Sequence, residues 1–211
     1  MSDVHTLQQL DTQIMWVINQ EPVPWDGIES VRKALLGSLR GQVHFLDSLP
    51  VSADEDVIVV PDTNALLFNP ALEEWSWSDV ARFRVALTPT VLSELDRLKA
   101  EHRSEGVKGK ANRLIRQFKE YRRRGRLTEG VPLRNGVSTI YALAIDPDMS
   151  SSLSWLDAAN QDDRLLATVM EIGRRHVRRP VALVTLDINL QNKAEFADVP
   201  FIEPPAPSGE V

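Results

Sequence analysis

The chain has 211 residues, 43% of them hydrophobic and 26% charged, with a formal net charge of -6 and no cysteine. That profile belongs to a globular protein able to bury a core, and the lack of cysteine excludes disulfides, thiolate zinc centres and a cysteine nucleophile. The start, Met-Ser-Asp-Val-His-Thr-Leu-Gln-Gln, has no basic n-region, and no run approaches the roughly 18 apolar residues of a membrane span, so a cytoplasmic protein with no membrane partner is expected.

Leu7, Leu10, Ile14, Val17 and Ile18 recur at helical spacing, and Asp26 with Glu29 resembles a capping box opening a second helix with Ile28, Val31, Leu35 and Leu39 inward. Glu21-Pro-Val-Pro separates the two, and Ser52-Ala-Asp-Glu-Asp is a polar break. Residues 1–54 are therefore expected to form a helical N-terminal extension, 55–203 the main domain, and the proline-rich 204–211 a disordered tail. From Val57 onward strands and helices alternate, which predicts parallel strands joined by helical crossovers. Val57–Val60 and Arg84–Leu87 read as strands, and Thr90 as the cap of a helix through Leu92, Leu95 and Leu98. Ala111, Leu114, Ile115 and Phe118 mark one face of a further helix that Gly125 ends. Thr139–Ile145 is a candidate strand, a helix enters at Asp162 with Leu165, Leu166, Val169 and Met170 inward, and Val181–Thr185 is the last clear strand.

Carboxylates recur at the joints of this pattern. Asp62 ends the first strand, Asp187 follows the last, Glu94 sits in the first turns after Thr88-Pro89, and Asp162 opens a helix. Open α/β sheets place ligands beyond the carboxyl ends of their strands, so two strand ends and two helix starts with acids are expected on one edge. Each acid has an ordinary explanation as a turn or helix-start residue; it is their coincidence that favours a site. Four gathered carboxylates repel one another, and a hard divalent cation, Mg²⁺ or Mn²⁺, relieves that repulsion through the oxygen ligands it prefers. Hydrolysis of a phosphodiester is the chemistry such a site suits.

The charge is also uneven. Between Arg97 and Arg126 lie twelve of the 24 Lys and Arg, including Lys108, Lys110, Arg113, Arg116, Arg122, Arg123 and Arg124, against Glu101, Glu105 and Glu120. A basic stripe beside an acidic metal site suits a polyanion such as RNA; a solvated helix face is the alternative.

Four blocks carry a resemblance: Asp62-Thr-Asn-Ala-Leu-Leu, Ser93-Glu-Leu-Asp-Arg-Leu-Lys, Asp162-Asp-Arg-Leu-Leu and Thr185-Leu-Asp-Ile-Asn-Leu-Gln-Asn-Lys-Ala. In order and content they resemble the PIN-domain nucleases, most of all the PIN modules attached to PhoH-type ATPases, over roughly residues 56–203. The resemblance implies a Rossmann-like α/β domain, with a central mostly parallel sheet flanked by helices, and a Mg²⁺- or Mn²⁺-dependent endoribonuclease with Asp62, Glu94, Asp162 and Asp187 as catalytic and metal-binding acids. It makes Thr63, Asn64, Thr185 and Asn189 supporting polar groups, and leaves Asp163 competing with Asp162, which its interval to Leu165 and Leu166 favours. RNA processing and the toxin role of a toxin–antitoxin pair are the two settings it suggests. No ATP hydrolysis is expected: Gly109-Lys110 is followed by Ala111 and no strand leads into it, so it does not read as a phosphate-binding loop. A catalytically silent RNA-binding or protein-interaction module is the alternative reading. The leader is open to blocking the site, forming a homodimer or recruiting a protein partner.

Other signals are weaker. His5, His44, His102 and His176 show no ligand spacing, no Gly-x-Ser-x-Gly turn is present, and Trp75 and Trp77 suit packing better than base stacking. Arg174-Arg-His-Val-Arg-Arg suits phosphate contact and a helix C-terminus equally.

Overall fold

A computed structural model describes residues 56–207, together with Lys33, Leu36, Gly37, Leu39 and Arg40. The chain divides into two units, Met1–Ser52 and Ala53–Val211. In the first, the five described residues are helical, and Leu39, expected to face inward, is exposed. The remaining expectations for the leader, and for 208–211, lie outside the described residues.

The second unit is built on a 6-stranded sheet in the order β3-β4-β2-β1-β5-β6. Its centre is β1 (Val57–Pro61), a continuous apolar run buried from Ile58 onward, as a strand covered on both faces requires. It lies parallel to β2 (Phe83–Leu87) on one side and β5 (Val181–Val184) on the other. β4 (Ser138–Ala142) extends the sheet parallel to β2, and β6 (Phe201–Ile202) extends it parallel to β5. Only β3 (Val131–Arg134), at one edge, is antiparallel. The mixed, mostly parallel sheet with flanking helices is the predicted α/β architecture.

Five helices connect these strands: α1 (Thr63–Phe68), α2 (Pro89–Glu101), α3 (Glu105–Arg124), α4 (Gln161–Arg175) and α5 (Ile188–Phe196). α3 buries Ala111, Leu114, Phe118 and Tyr121 and ends at Gly125, where a Cβ would meet the Val131 side chain at 3.3 Å. Local chemistry moved several predicted boundaries. α2 is capped by Thr88, whose hydroxyl accepts from Val91 N, rather than by Thr90, because Pro89 lacks an N–H and fits the first helical position. Asn160 caps α4 and accepts from the Asp162 and Asp163 amides, so Asp162 lies inside the first turn. The expected strand through Ile145 stops at Ala142, after which Leu143 N still donates to Leu87 O.

α1, β3 and β6 were not read from the sequence. Each is short, and their signals are weak: a six-residue helix, a proline-containing edge strand and a two-residue strand. The start of the proline-rich tail is held down. Pro204 is buried, Pro205 O accepts from Asn69 Nδ2 at 2.9 Å, and Glu203 O accepts from Trp77 Nε1 at 2.8 Å. The tryptophans pack as expected: Trp75 is fully buried with its indole N–H on Asn69 O, and Trp77 lies edge-on to both Trp75 and Phe83. No helix among the described residues is long and apolar enough to cross a membrane.

Candidate active site

The order of strands reverses between β1 and β5: the chain runs from β1 outward through β2 to β4, then returns to lay β5 against the other side of β1. Crevices at such reversals, beyond the strands' carboxyl ends, hold ligands in open α/β sheets. Asp62 and Asp187 follow the two strands that flank this point.

Asp62 is the buried member of the site, at 5% exposure. Its amide extends the ladder to Val184 O, and its side chain caps α1, Oδ1 accepting from Ala65 N at 2.6 Å. Oδ2 accepts from Thr185 Oγ1 at 2.5 Å, across 123 residues of sequence. Burial raises its pKa from 3.8 to about 6; the bonds from Thr185 and Ala65 oppose the rise, and the charges of Asp162 and Asp187 add to it. Thr185 is itself fully buried and accepts from Asp187 N at 3.0 Å, so one hydroxyl ties together the residues that follow β1 and β5.

The other acids come from separate elements. Asp187 caps α5, Oδ1 accepting from the amides of Asn189 at 2.8 Å and Leu190 at 3.3 Å. Glu94, in the second turn of α2, accepts from Thr63 Oγ1 at 2.7 Å, with Arg97 Nη2 3.7 Å from its other oxygen. Asp162, on the first turn of α4, is pushed above the ordinary aspartate range by partial desolvation of an otherwise exposed side chain and then by Asp187, with Glu94 and Asp163 adding and Lys193 opposing. Asp62 responds to Asp162 and Asp187, and Asp162 to Asp187 and Glu94, so the four carboxylates share one electrostatic neighbourhood. Among the described residues, no three acidic or histidine side chains stand as a ready-made ligand group. The acids feel one another's charge, and each of Asp62, Glu94 and Asp187 also accepts a hydrogen bond from within the protein.

Adjacent aspartates divide the work on α4. Asp163 is buried and both its oxygens are engaged, Oδ2 by Asp157 N at 2.9 Å and Oδ1 by Lys193 Nζ at 2.5 Å. It braces α4 against α5, while Asp162 is exposed with its charge felt by the other acids. Lys193 was missed as a site residue; within the last block it reads only as a helix-end cation. Of the supporting polar groups, Thr63 and Thr185 bond to acids, whereas Asn64 and Asn189 are exposed.

A cleft of about 420 Å³ opens between the starts of α2 and α4, lined by Thr90, Ser93, Asp146, Gln161 and Arg164 among others, with neither Glu94 nor Asp162 on its lining. Arg164 Nη2 bonds to Asp146 at 2.5 Å and Arg97 Nη2 to Gln161 at 3.3 Å, which puts two guanidinium groups at this margin.

The basic stripe is the exposed side of α3, which packs against α1 and α2. At 3.6 residues per turn, Arg113, Arg116 and Arg123 project opposite the buried face, Lys108 and Arg122 lie on one flank and Lys110 on the other. Lys108 pairs with Glu105 at 3.0 Å, and Arg123 with Glu120. Arg124 is committed to the fold, donating to Pro132 O and lying over the Tyr121 ring at 5.4 Å.

Residues 59–203 match the model of a protein family described as PIN domain. No curated protein matches the chain.

Proposed function

We propose, from the premise that this chain belongs to the PIN-domain family, whose members are generally nucleases, that it is a Mg²⁺- or Mn²⁺-dependent endoribonuclease. The observation that best supports this reading is the meeting of Asp62, Glu94, Asp162 and Asp187 in one electrostatic neighbourhood at the β1/β5 reversal. The donor set fits a hard divalent ion: four carboxylates, with no histidine or thiolate. These four residues would hold the ion, and the chemistry supplied by a bound ion is charge neutralisation at a phosphodiester and a more acidic water.

The chain's own groups do the positioning. Thr185 and Ala65 N orient Asp62, Thr63 orients Glu94, and the α5 amides fix Asp187. The cleft between the starts of α2 and α4 seats a nucleotide flanking the scissile phosphate, and Arg113, Arg116 and Arg123 carry the RNA backbone farther out. Likeness of the four blocks to PhoH-linked PIN modules narrows the family reading, with a cytoplasmic role in RNA processing or toxin–antitoxin regulation. The leader is assigned to a homodimer or partner contact.

A second reading, a silent module that binds RNA or protein, draws on the present commitment of three acids to hydrogen bonds within the protein. Incubation with labelled single-stranded RNA and Mn²⁺ separates the two. Cleavage abolished by EDTA and by Asp62→Asn supports the nuclease; RNA binding without any cleavage supports the module.

A further inference from the structure

The opposite end of the sheet, where the parallel strands begin, carries a second polar cavity. Strand register pairs Phe83 with Ser138 and Ser138 with Arg134, so the three side chains share one face. On that face Phe83 meets Trp77, and Arg134 Nη2 donates to Trp75 O at 2.6 Å. The cavity, of about 230 Å³, is lined by Asp56, Arg82, Phe83, Arg134 and Ser138 and by the β3–β4 turn. Gly136 makes that turn with φ of 71°, which a side chain rarely adopts, and Val137 N closes it on Arg134 O at 3.1 Å.

Two buried polar atoms here lack a protein partner, Arg134 Nε and Ser138 Oγ, and Ser138 is only 2% exposed. Guanidinium Nε–H is a donor with no acceptor capacity, so what it faces must accept. The Arg134 cation has no carboxylate partner among the described residues. Asp56, the acid on the lining, is already taken by Arg84 at 2.8 Å and Arg82 at 3.3 Å. Cationic surroundings continue beyond the cavity: His176 is held below its ordinary pKa by burial, then by Arg179, Arg84 and Arg175. Water would satisfy the two donors and leave the guanidinium charge uncompensated, whereas a planar guanidinium beside a hydroxyl matches the oxygens of an anion.

We propose that this cavity is an oxyanion site, taking a phosphate or carboxylate group on Arg134 and Ser138. It is separate from the acidic edge, because it lies at the first residues of β2 and β4 while the acids follow the last residues of β1 and β5. A strand of this length spans about 17 Å, so an anion bound here is an accessory ligand and not part of the reacting substrate. The proposal does not depend on nuclease activity.

Backbone amide NMR of the full chain tests it, titrating inorganic phosphate and, separately, acetate against sodium chloride at matched ionic strength. The expected result is a saturable shift of the Asn135, Gly136 and Ser138 amides with one or both oxyanions; phosphate alone identifies a phosphate group, acetate alone a carboxylate. Arg134→Gln should weaken that binding at least tenfold, with Arg134→Lys, which keeps charge but loses the planar donor pair, and Ser138→Ala intermediate. If Arg134→Gln fails to fold, the two milder variants carry the comparison. Shifts that follow ionic strength alone, or that survive unchanged in the variants, would overturn the assignment and leave the cavity to water.

Discussion

Replacing Asp62 by Asn should stabilise the metal-free protein at pH 8 and cease to do so at pH 4. In the folded chain the Asp62 carboxyl is raised from 3.8 to about 6, chiefly by burial. The folded state therefore holds this proton more tightly than the unfolded state, so the associated stability is present below pH 3.8 and is lost as the pH rises through about 6. Converted at about 1.4 kcal/mol per tenfold change in proton affinity, the ionised side chain costs about 3 kcal/mol at pH 8. Asn removes that cost and keeps an oxygen for Ala65 N, but its amide cannot accept from Thr185 Oγ1. The loss of that bond takes back about 1 kcal/mol. The variant should thus be more stable by about 2 kcal/mol at pH 8 and less stable by about 1 kcal/mol at pH 4. Urea unfolding in EDTA, followed by tryptophan fluorescence at several pH values, measures the difference; the other acids titrate in both proteins and largely cancel. A difference that does not change with pH would refute the argument. Adding Mn²⁺ should reverse the order at pH 8, since an ion bound only by the folded wild type stabilises it by mass action, about 2.7 kcal/mol at a hundred times the dissociation constant.

The neighbouring aspartates should separate stability from activity. Asp163→Asn leaves Lys193 without its buried partner and should cost about 1–3 kcal/mol in urea unfolding; Asp162→Asn, which removes a carboxylate whose pKa is raised, should not destabilise the metal-free protein at pH 8 while abolishing cleavage. Equal destabilisation by both would remove the division of roles on α4. Changing Arg113, Arg116 and Arg123 together to Ala should weaken RNA binding and flatten its dependence on salt by about 0.7 in logarithmic slope for each phosphate no longer neutralised. An unaltered slope in fluorescence anisotropy would return α3 to a solvated face. Arg124→Ala, by contrast, should lower the unfolding midpoint, because its guanidinium holds Pro132 O and the Tyr121 ring.

Residues whose role depends on near neighbours were legible. The Val57–Pro61 run announces a strand buried on both faces, and alternation with helices announces a mostly parallel sheet, because burial imprints its period on the chain. The carboxylates at Asp62 and Asp187 could be placed at strand ends for the same reason. Elements too short for a period, such as α1 and β6, left no such imprint.

From the sequence alone came the layered α/β plan and the acids at its joints, since hydrophobic periodicity and capping are written within a few residues of one another. The tertiary structure alone decided that β5 lies against β1 and that Thr185 binds Asp62. It likewise decided that Lys193 occupies Asp163 and leaves Asp162 exposed, and that Arg134 and Ser138 face one cavity. Strand order and cross-chain pairing arise from packing between segments as much as 123 residues apart, and no local pattern encodes which surfaces will meet.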